Sequence, residues 1–301
     1  MSQTMLQLVQ QVSAELNLAV PSYVAGNPSQ DVQQILALMN GAGYDLVKEH
    51  DWQALQVQYR FYTNTITTEA TTTNGSTTFV VDGGTDITSV TSQWQITGYY
   101  VPQDTNVVEV SGQNITMSQM ASGSGTGQYT IAQMDYALPF DYEAITSRTT
   151  CDKSKHWEAL GGEDAQQWQW LKSGYISTGP RIRWRILDNQ FQIWPVMNTQ
   201  EYLGYEYKSK GWARSATGVV KNSFTADSDT TVLDDRILVL YTKLKYFQIK
   251  SFDTTALSQD YQRFLSVAKA QDKGVGNLSF APYPSKVLIG YANIPDTGYG
   301  S

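Results

Sequence analysis

Asp227, Asp229, Asp234 and Asp235 crowd one stretch of the chain and could offer carboxylate oxygens to Ca²⁺ or Mg²⁺. Their spacing lacks the central glycine and the closing bidentate glutamate of an EF-hand loop. A turn followed by a helix cap accounts for the same residues, because a carboxylate accepts from the first N–H groups of a helix and opposes its positive end. Cys151 and His156 lie too close in sequence for the usual geometry of a thiol nucleophile and its base, and His50 closes a helix. Gly123-Ser124-Gly125-Thr126-Gly127 has no Walker lysine and precedes no helical pattern, so it reads as a β turn. Glu49 with Asp51, or Glu158 with Glu163 and Asp164, would serve a glycosidase only if two carboxylates faced each other across a sugar-sized cleft. No catalytic, cofactor-binding or metal-binding residue is assigned, and the four aspartates are assigned to turn formation and helix capping.

The elements around these residues follow from hydrophobic period. Met5, Leu8, Val9, Val12 and Leu16 form one stripe of a helix over Ser2 to Leu16. Ser29 is a candidate N-cap for a second helix carrying Val32, Ile35, Leu36, Met39, Leu46 and Val47, in which Gly41 and Gly43 either bend the helix or admit a close neighbour. Leu55, Val57, Tyr59 and Phe61 then alternate with polar residues, so the chain enters a sheet. Residues 63–128 are rich in Thr, Ser, Gly and Val, with strand-like runs at Thr77–Val81, Gln93–Tyr99, Asn106–Val110 and Asn114–Met117, and read as an inserted all-β domain. A short helix over Gly162 to Lys172 precedes a hairpin turning at Asp188-Asn189. The strand with Leu203, Tyr205 and Tyr207 on one side is expected to be half-buried and to extend that hairpin as a meander. Asp234-Asp235 opens a long helix with Ile237, Leu240, Tyr241, Leu244 and Phe247, and a break at Phe252-Asp253 folds a second helix back against it. The fold class is α+β: a core of residues 1–62 and 129–275, the insert, and an extended arm over 276–301.

With 301 residues, 41% of them hydrophobic, the chain can bury a substantial core. A net charge of −7 is the wrong sign for a protein that grips phosphate backbones. Cys151 is the sole cysteine, so no intrachain disulfide forms, and no apolar run is long enough for a bilayer. Trp157, Trp168, Trp170, Trp184, Trp194 and Trp212 are residues of the kind that fill cores and anchor interfaces.

The strand ending in Tyr205-Glu206-Tyr207, the loop Phe224-Thr225-Ala226-Asp227-Ser228-Asp229-Thr230, the long helix after it and the step Leu138-Pro139-Phe140-Asp141 together resemble the head-to-tail adaptor proteins of short-tailed bacteriophages. The insert, through Val101-Pro102-Gln103-Asp104-Thr105-Asn106-Val107-Val108 and Ile115-Thr116-Met117-Ser118, resembles a β module of phage structural proteins. The resemblance implies a virion protein, assembled in the host cytoplasm, that forms a dodecameric ring at the head-tail neck below the portal. Such a ring seals the packaged head, continues the DNA channel without specific DNA binding and offers a platform to the tail nozzle or other tail proteins. It implies no enzyme activity, cofactor or membrane partner. Within the arm, Phe280, Pro282, Tyr283, Val287, Leu288 and Ile289 are the expected portal contacts. The rival readings are a host-surface or glycan-binding virion protein acting through the insert, and a cell-wall hydrolase.

Overall fold

The computed structural model describes residues 2–173 and 182–273. The arm of residues 276–301, with Phe280, Pro282, Tyr283, Val287, Leu288 and Ile289, lies outside the described residues. The described architecture is α+β: a helical layer, sheets of five and four strands packed face to face, a small three-stranded sheet within residues 213–231, and a separate six-stranded sheet.

Helix α1 (Met5–Glu15) begins with a capping box in which Thr4 and Gln7 satisfy each other's backbone N–H groups. Helix α2 (Gln30–Glu49) follows. Ser29 occupies its N-cap position but makes no side-chain cap bond; its N–H donates to Asn27 Oδ1, so the bend before the helix is set by Asn27. After β15 (Tyr202–Ser209), α4 (Asp235–Ile249) and α5 (Thr255–Lys273) form the helical hairpin, and Met5, Leu8, Val12, Ile35, Met39, Leu46, Leu238, Leu244, Tyr261 and Leu265 share one core. Of the paired glycines in α2, Gly43 is the close-approach position. A Cβ there would lie 2.3 Å from the Trp212 ring, whereas one at Gly41 would meet nothing within 4 Å.

Strand β1 (Gln56–Tyr62) pairs along its full length with β15, from Gln56↔Lys208 to Tyr62↔Tyr202. The other edge of β15 is taken by β9 (Tyr142–Ile145) and β10 (Cys151–Asp152). The hairpin β13 (Arg183–Leu187) and β14 (Gln190–Trp194) turns at Asp188-Asn189, both at positive φ, as a two-residue loop between right-twisted strands requires. β15 does not extend that hairpin: both of its edges are occupied, and β14 pairs instead with β8 (Asp135–Ala137). The two sheets meet through Phe61, Tyr136, Trp184, Phe191 and Tyr205, with Phe191 stacked on Tyr205 at 5.0 Å and on Trp184 at 5.4 Å. β15 is also more deeply buried than alternation predicts. Lys208 on its polar side lies over Asp51, and Gly204 lies under the Lys153 side chain.

Burial at this seam has a titration consequence. Burial pushes the phenols of Tyr136, Tyr142, Tyr205 and Tyr207 upward, and Tyr207 is held protonated further by donating to Asp141 at 2.8 Å. A raised folded pKa gives stability that is complete below the unfolded value of about 10 and is lost as pH climbs above it. Alkaline titration is therefore expected to show a late phenolate-absorbance phase coincident with loss of far-UV circular dichroism. A single phase centred near the ordinary value would contradict this packing.

The insert is a sheet of order β4 (Gln95–Gly98), β7 (Gly125–Ala132), β2 (Thr65–Thr72), β3 (Thr78–Val81), β6 (Asn114–Met117), β5 (Val107–Ser111). Its core holds Phe79, Ile96, Ile115, Tyr129 and Ile131. The sheet runs on to Ala132, past the compositional boundary at 128, because β7 pairs with all of β2. The two chain crossings sit side by side, joined by Gln133 N–H to Asn64 O at 3.0 Å and Asn64 Nδ2 to Gln133 Oε1 at 2.7 Å. Helix α3 (Ala165–Lys172), capped by Asp164, packs Trp168 against Ala132, Met134 and Trp194, and its Lys172 pairs with Asp104 of the insert at 2.9 Å.

Candidate functional site

The loop between β15 and α4 brings Asp227, Asp229, Asp234 and Asp235 to the start of α1, where each carboxylate takes its own set of donors. Asp229 is fully buried and accepts from Lys221 Nζ at 2.8 and 2.9 Å, from Thr225 N at 2.8 Å and from Ala226 N at 2.9 Å. Burial alone would raise its pKa, but the hydrogen bonds from Lys221, Thr225 and Ala226 outweigh burial and hold it below the ordinary carboxylate range. Asp227 reaches the segment before α2, accepting from Val24 N at 3.0 Å and Ala25 N at 2.7 Å. Asp234 caps α4 through Ile237 N at 3.0 Å, and Asp235 takes Gln3 N at 2.8 Å and Ser2 Oγ at 3.1 Å.

The backbone of the same loop completes the join. The N–H groups of Met5 and Leu6, which have no acceptor within their own helix, donate to the carbonyls of Asp229 and Asp227 at 2.7 and 3.2 Å. A short bridge pairs Thr4 with Thr230. The acidic cluster is thus a clasp that fastens the N-terminal helix and the segment before α2 to the base of α4, with its oxygens directed at backbone N–H groups, the Ser2 and Thr225 hydroxyls and one ammonium. Among the described residues no three His, Cys, Asp or Glu side chains gather to hold a metal ion.

The paired carboxylates considered for hydrolysis are dispersed onto separate partners. Glu49 pairs with Lys269 at 2.7 Å, Asp51 with Lys208 at 2.9 Å, Glu158 with Arg148 at 3.6 Å and Glu163 with Arg183 at 3.1 Å, while Asp164 caps α3. Cys151 is free, and its thiol donates toward Asp152 O at 3.5 Å. A polar cleft of about 540 Å³ lies beside β1 and β15, lined by Asp51, Gln53, Gln56, Thr146, Glu206 and Lys208. Sequence reading missed Asp135, whose pKa is raised by burial, only partly opposed by Lys172 and Gln192. It lines a cleft of about 340 Å³ with Thr91, Trp94, Gln133 and Gln190, and none of the described lining residues is a second acid. Also missed was Asp45 of α2, which takes Lys245 Nζ at 2.6 Å and Tyr241 OH at 3.1 Å. Burial and this aspartate together push the Tyr241 phenol up to about 12.

Of the six tryptophans named from sequence, Trp168, Trp184, Trp194 and Trp212 are buried, and Trp157 and Trp170 are exposed. Large apolar side chains face solvent at several places, including two on the core elements. At the turn of the α4–α5 hairpin, Ile249 and Phe252 are exposed, with Phe252 edge-on to Phe247 at 5.6 Å. On the β1–β15 sheet, exposed Tyr62 stacks on Tyr202 at 4.6 Å, and Trp157 lies on β11 (Trp157–Glu158), the far strand of the same sheet. No helix among the described residues is long and apolar enough to cross a membrane. Neither the protein-family models nor the curated proteins contain a match to the chain.

Proposed function

We propose that the chain is a structural ring subunit of the head-to-tail adaptor of a short-tailed bacteriophage. The observation that carries the reading is the placement of exposed large apolar side chains in separate regions, among them Ile249 and Phe252 on the helical turn and, on the aromatic sheet, Trp157 and Tyr62, the latter stacked on half-buried Tyr202. A closed ring of identical head-to-tail contacts needs two different, complementary faces on each subunit. Contiguous exposed apolar patches mark such faces. The clasp supports the same role, because it braces the N-terminal helix against α4, one of the helices that in such a ring would line or brace the channel.

The test is particle mass by native mass spectrometry, for the chain alone and mixed with a short-tailed phage portal. A ring that adds to the portal in whole-ring steps is expected, and the double substitution Ile249→Asp with Phe252→Asp should abolish it without lowering thermal stability. Absence of any ring and of any portal complex would overturn the proposal. The glycan-binding rival has less support: the outward positions of the insert's strands, Thr67, Glu69, Thr71, Thr78, Val80, Val108, Glu109, Asn114, Thr116, Thr126 and Gln128 among them, form no aromatic row, and the exposed Tyr99 beside Tyr100 lies past the end of β4.

A further inference from the structure

Among the described residues β1 is an edge strand with one side open. Among these residues it pairs with β15 alone, and no β-bulge or proline interrupts Gln56–Tyr62. Proteins usually blunt such an edge with prolines, bulges or inward charges, because a long regular edge templates pairing with another strand. Here the single charge is Arg60, on the exposed side of the alternation. The core-facing residues of β1 also look unfinished: Val57, Tyr59 and Phe61 are half-buried, while Leu203, Tyr205 and Tyr207 beside them on β15 are buried. One further strand would cover them.

The chain itself leads to this edge. The last turn of α5 is anchored at the approach to β1, where Gln53 N–H donates to both carboxylate oxygens of Asp272 at 3.1 and 3.0 Å and His50 Nε2 lies 3.4 Å from Asp272 Oδ2. The sequence then continues to Ser301 and contains the run Val287-Leu288-Ile289, rich in strand-forming residues. From Lys273 to Val287 an extended chain spans up to about 45 Å, against roughly 24 Å for the length of β1. The run can therefore reach any point along the edge of its own subunit.

We propose that the segment around Val287-Leu288-Ile289 adds to β1 of the same subunit as a further strand, with its apolar side covering Val57, Tyr59 and Phe61. This holds whether or not the chain forms a ring, and it gives that segment a partner in the free subunit.

The test is hydrogen exchange across residues 56–62 in the full chain, compared with the full-length variants Val287→Pro and Leu288→Pro. Successive N–H groups of a strand point to opposite sides, so one of the two prolines must remove a donor facing β1. The expected result is strong protection of those β1 amides that point away from β15 in the parent, unchanged on tenfold dilution, and a loss of roughly tenfold or more at these amides in at least one variant. Helix protection should stay unchanged in both. Protection of these amides equal in all three proteins, their lack of protection in the parent, or protection that grows with protein concentration would each overturn the proposal, the last by assigning the edge to a second copy of the chain.

Discussion

Replacing Asp229 by alanine is expected to destabilise the helical core by about 3 kcal/mol, read from the denaturant midpoint of the far-UV signal, since each hydrogen bond to a charged group contributes about 1.5–3 kcal/mol. The full sum of the four short contacts is not expected. Lys221 is partly exposed and Thr225 is exposed, so water replaces part of what is lost. What water cannot replace is the shape of the loop, which presents the Asp229 and Asp227 carbonyls to Met5 and Leu6. Asp229→Asn should separate charge from shape. The amide oxygen can keep the Thr225 and Ala226 N–H groups, but the amide nitrogen then faces Lys221 Nζ. A smaller loss is expected, together with disappearance of one acid-dependent component of stability. The sign follows from the lowered folded pKa: the contribution is complete above the unfolded carboxylate value of about 3.9 and is lost as pH falls through the lower folded value. A stability curve of the same acid dependence in parent and Asn variant would show that Asp229 is not the group responsible.

The clasp also marks where sequence reading stops. Asp234 was legible as a cap because its signal is local: an aspartate directly before an apolar helical stripe. The same holds for the capped helix α3, the hairpin at Asp188-Asn189 and the helical pair α4–α5, all set by neighbours a few residues away. Asp227 was legible as a turn residue and illegible as a tie to Val24 and Ala25, because its partners are 203 and 202 positions distant and alternation carries no distance information. The misplacement of β15 has the same origin. A strand that follows a hairpin pairs with it by default, and only the competing demands of β1, β9 and β10 on both edges of β15 exclude that. Asp135 and Asp45 gave no signal at all, since a single carboxylate in a polar context becomes notable only once the fold buries it.

Gly43→Ala is expected to lower stability by about 2 kcal/mol, although alanine is the better helix former by about 1 kcal/mol. The added Cβ would lie 2.3–2.7 Å from three atoms of the Trp212 indole, distances that no carbon pair sustains. The ring cannot swing away as a long flexible side chain would. It is fully buried, lies edge-on to Phe224 at 4.6 Å and is flanked by the chain segment that returns as β18 (Thr230–Thr231), so α2 or the loop must shift as a whole. Gly41→Ala, two positions earlier in the same helix and open on the Cβ side, isolates the propensity effect and should stabilise by about 0.5–1 kcal/mol. Trp212→Leu removes the obstacle at a cost of its own, about 3 kcal/mol for the lost aromatic volume. In that background Gly43→Ala should become neutral or favourable, and the difference between the two backgrounds is the coupling between helix and loop. Denaturant midpoints of the four proteins in this cycle measure it directly. Equal effects of Gly43→Ala in both backgrounds would mean that α2 holds its glycine for a reason other than the approach of Trp212. A coupling of about 2 kcal/mol would show that the Gly43–Trp212 contact helps to seat the loop carrying the aspartate clasp on α2, beside the Asn40 side chain that takes the Phe224 N–H at 2.8 Å, so that clasp and helix order together.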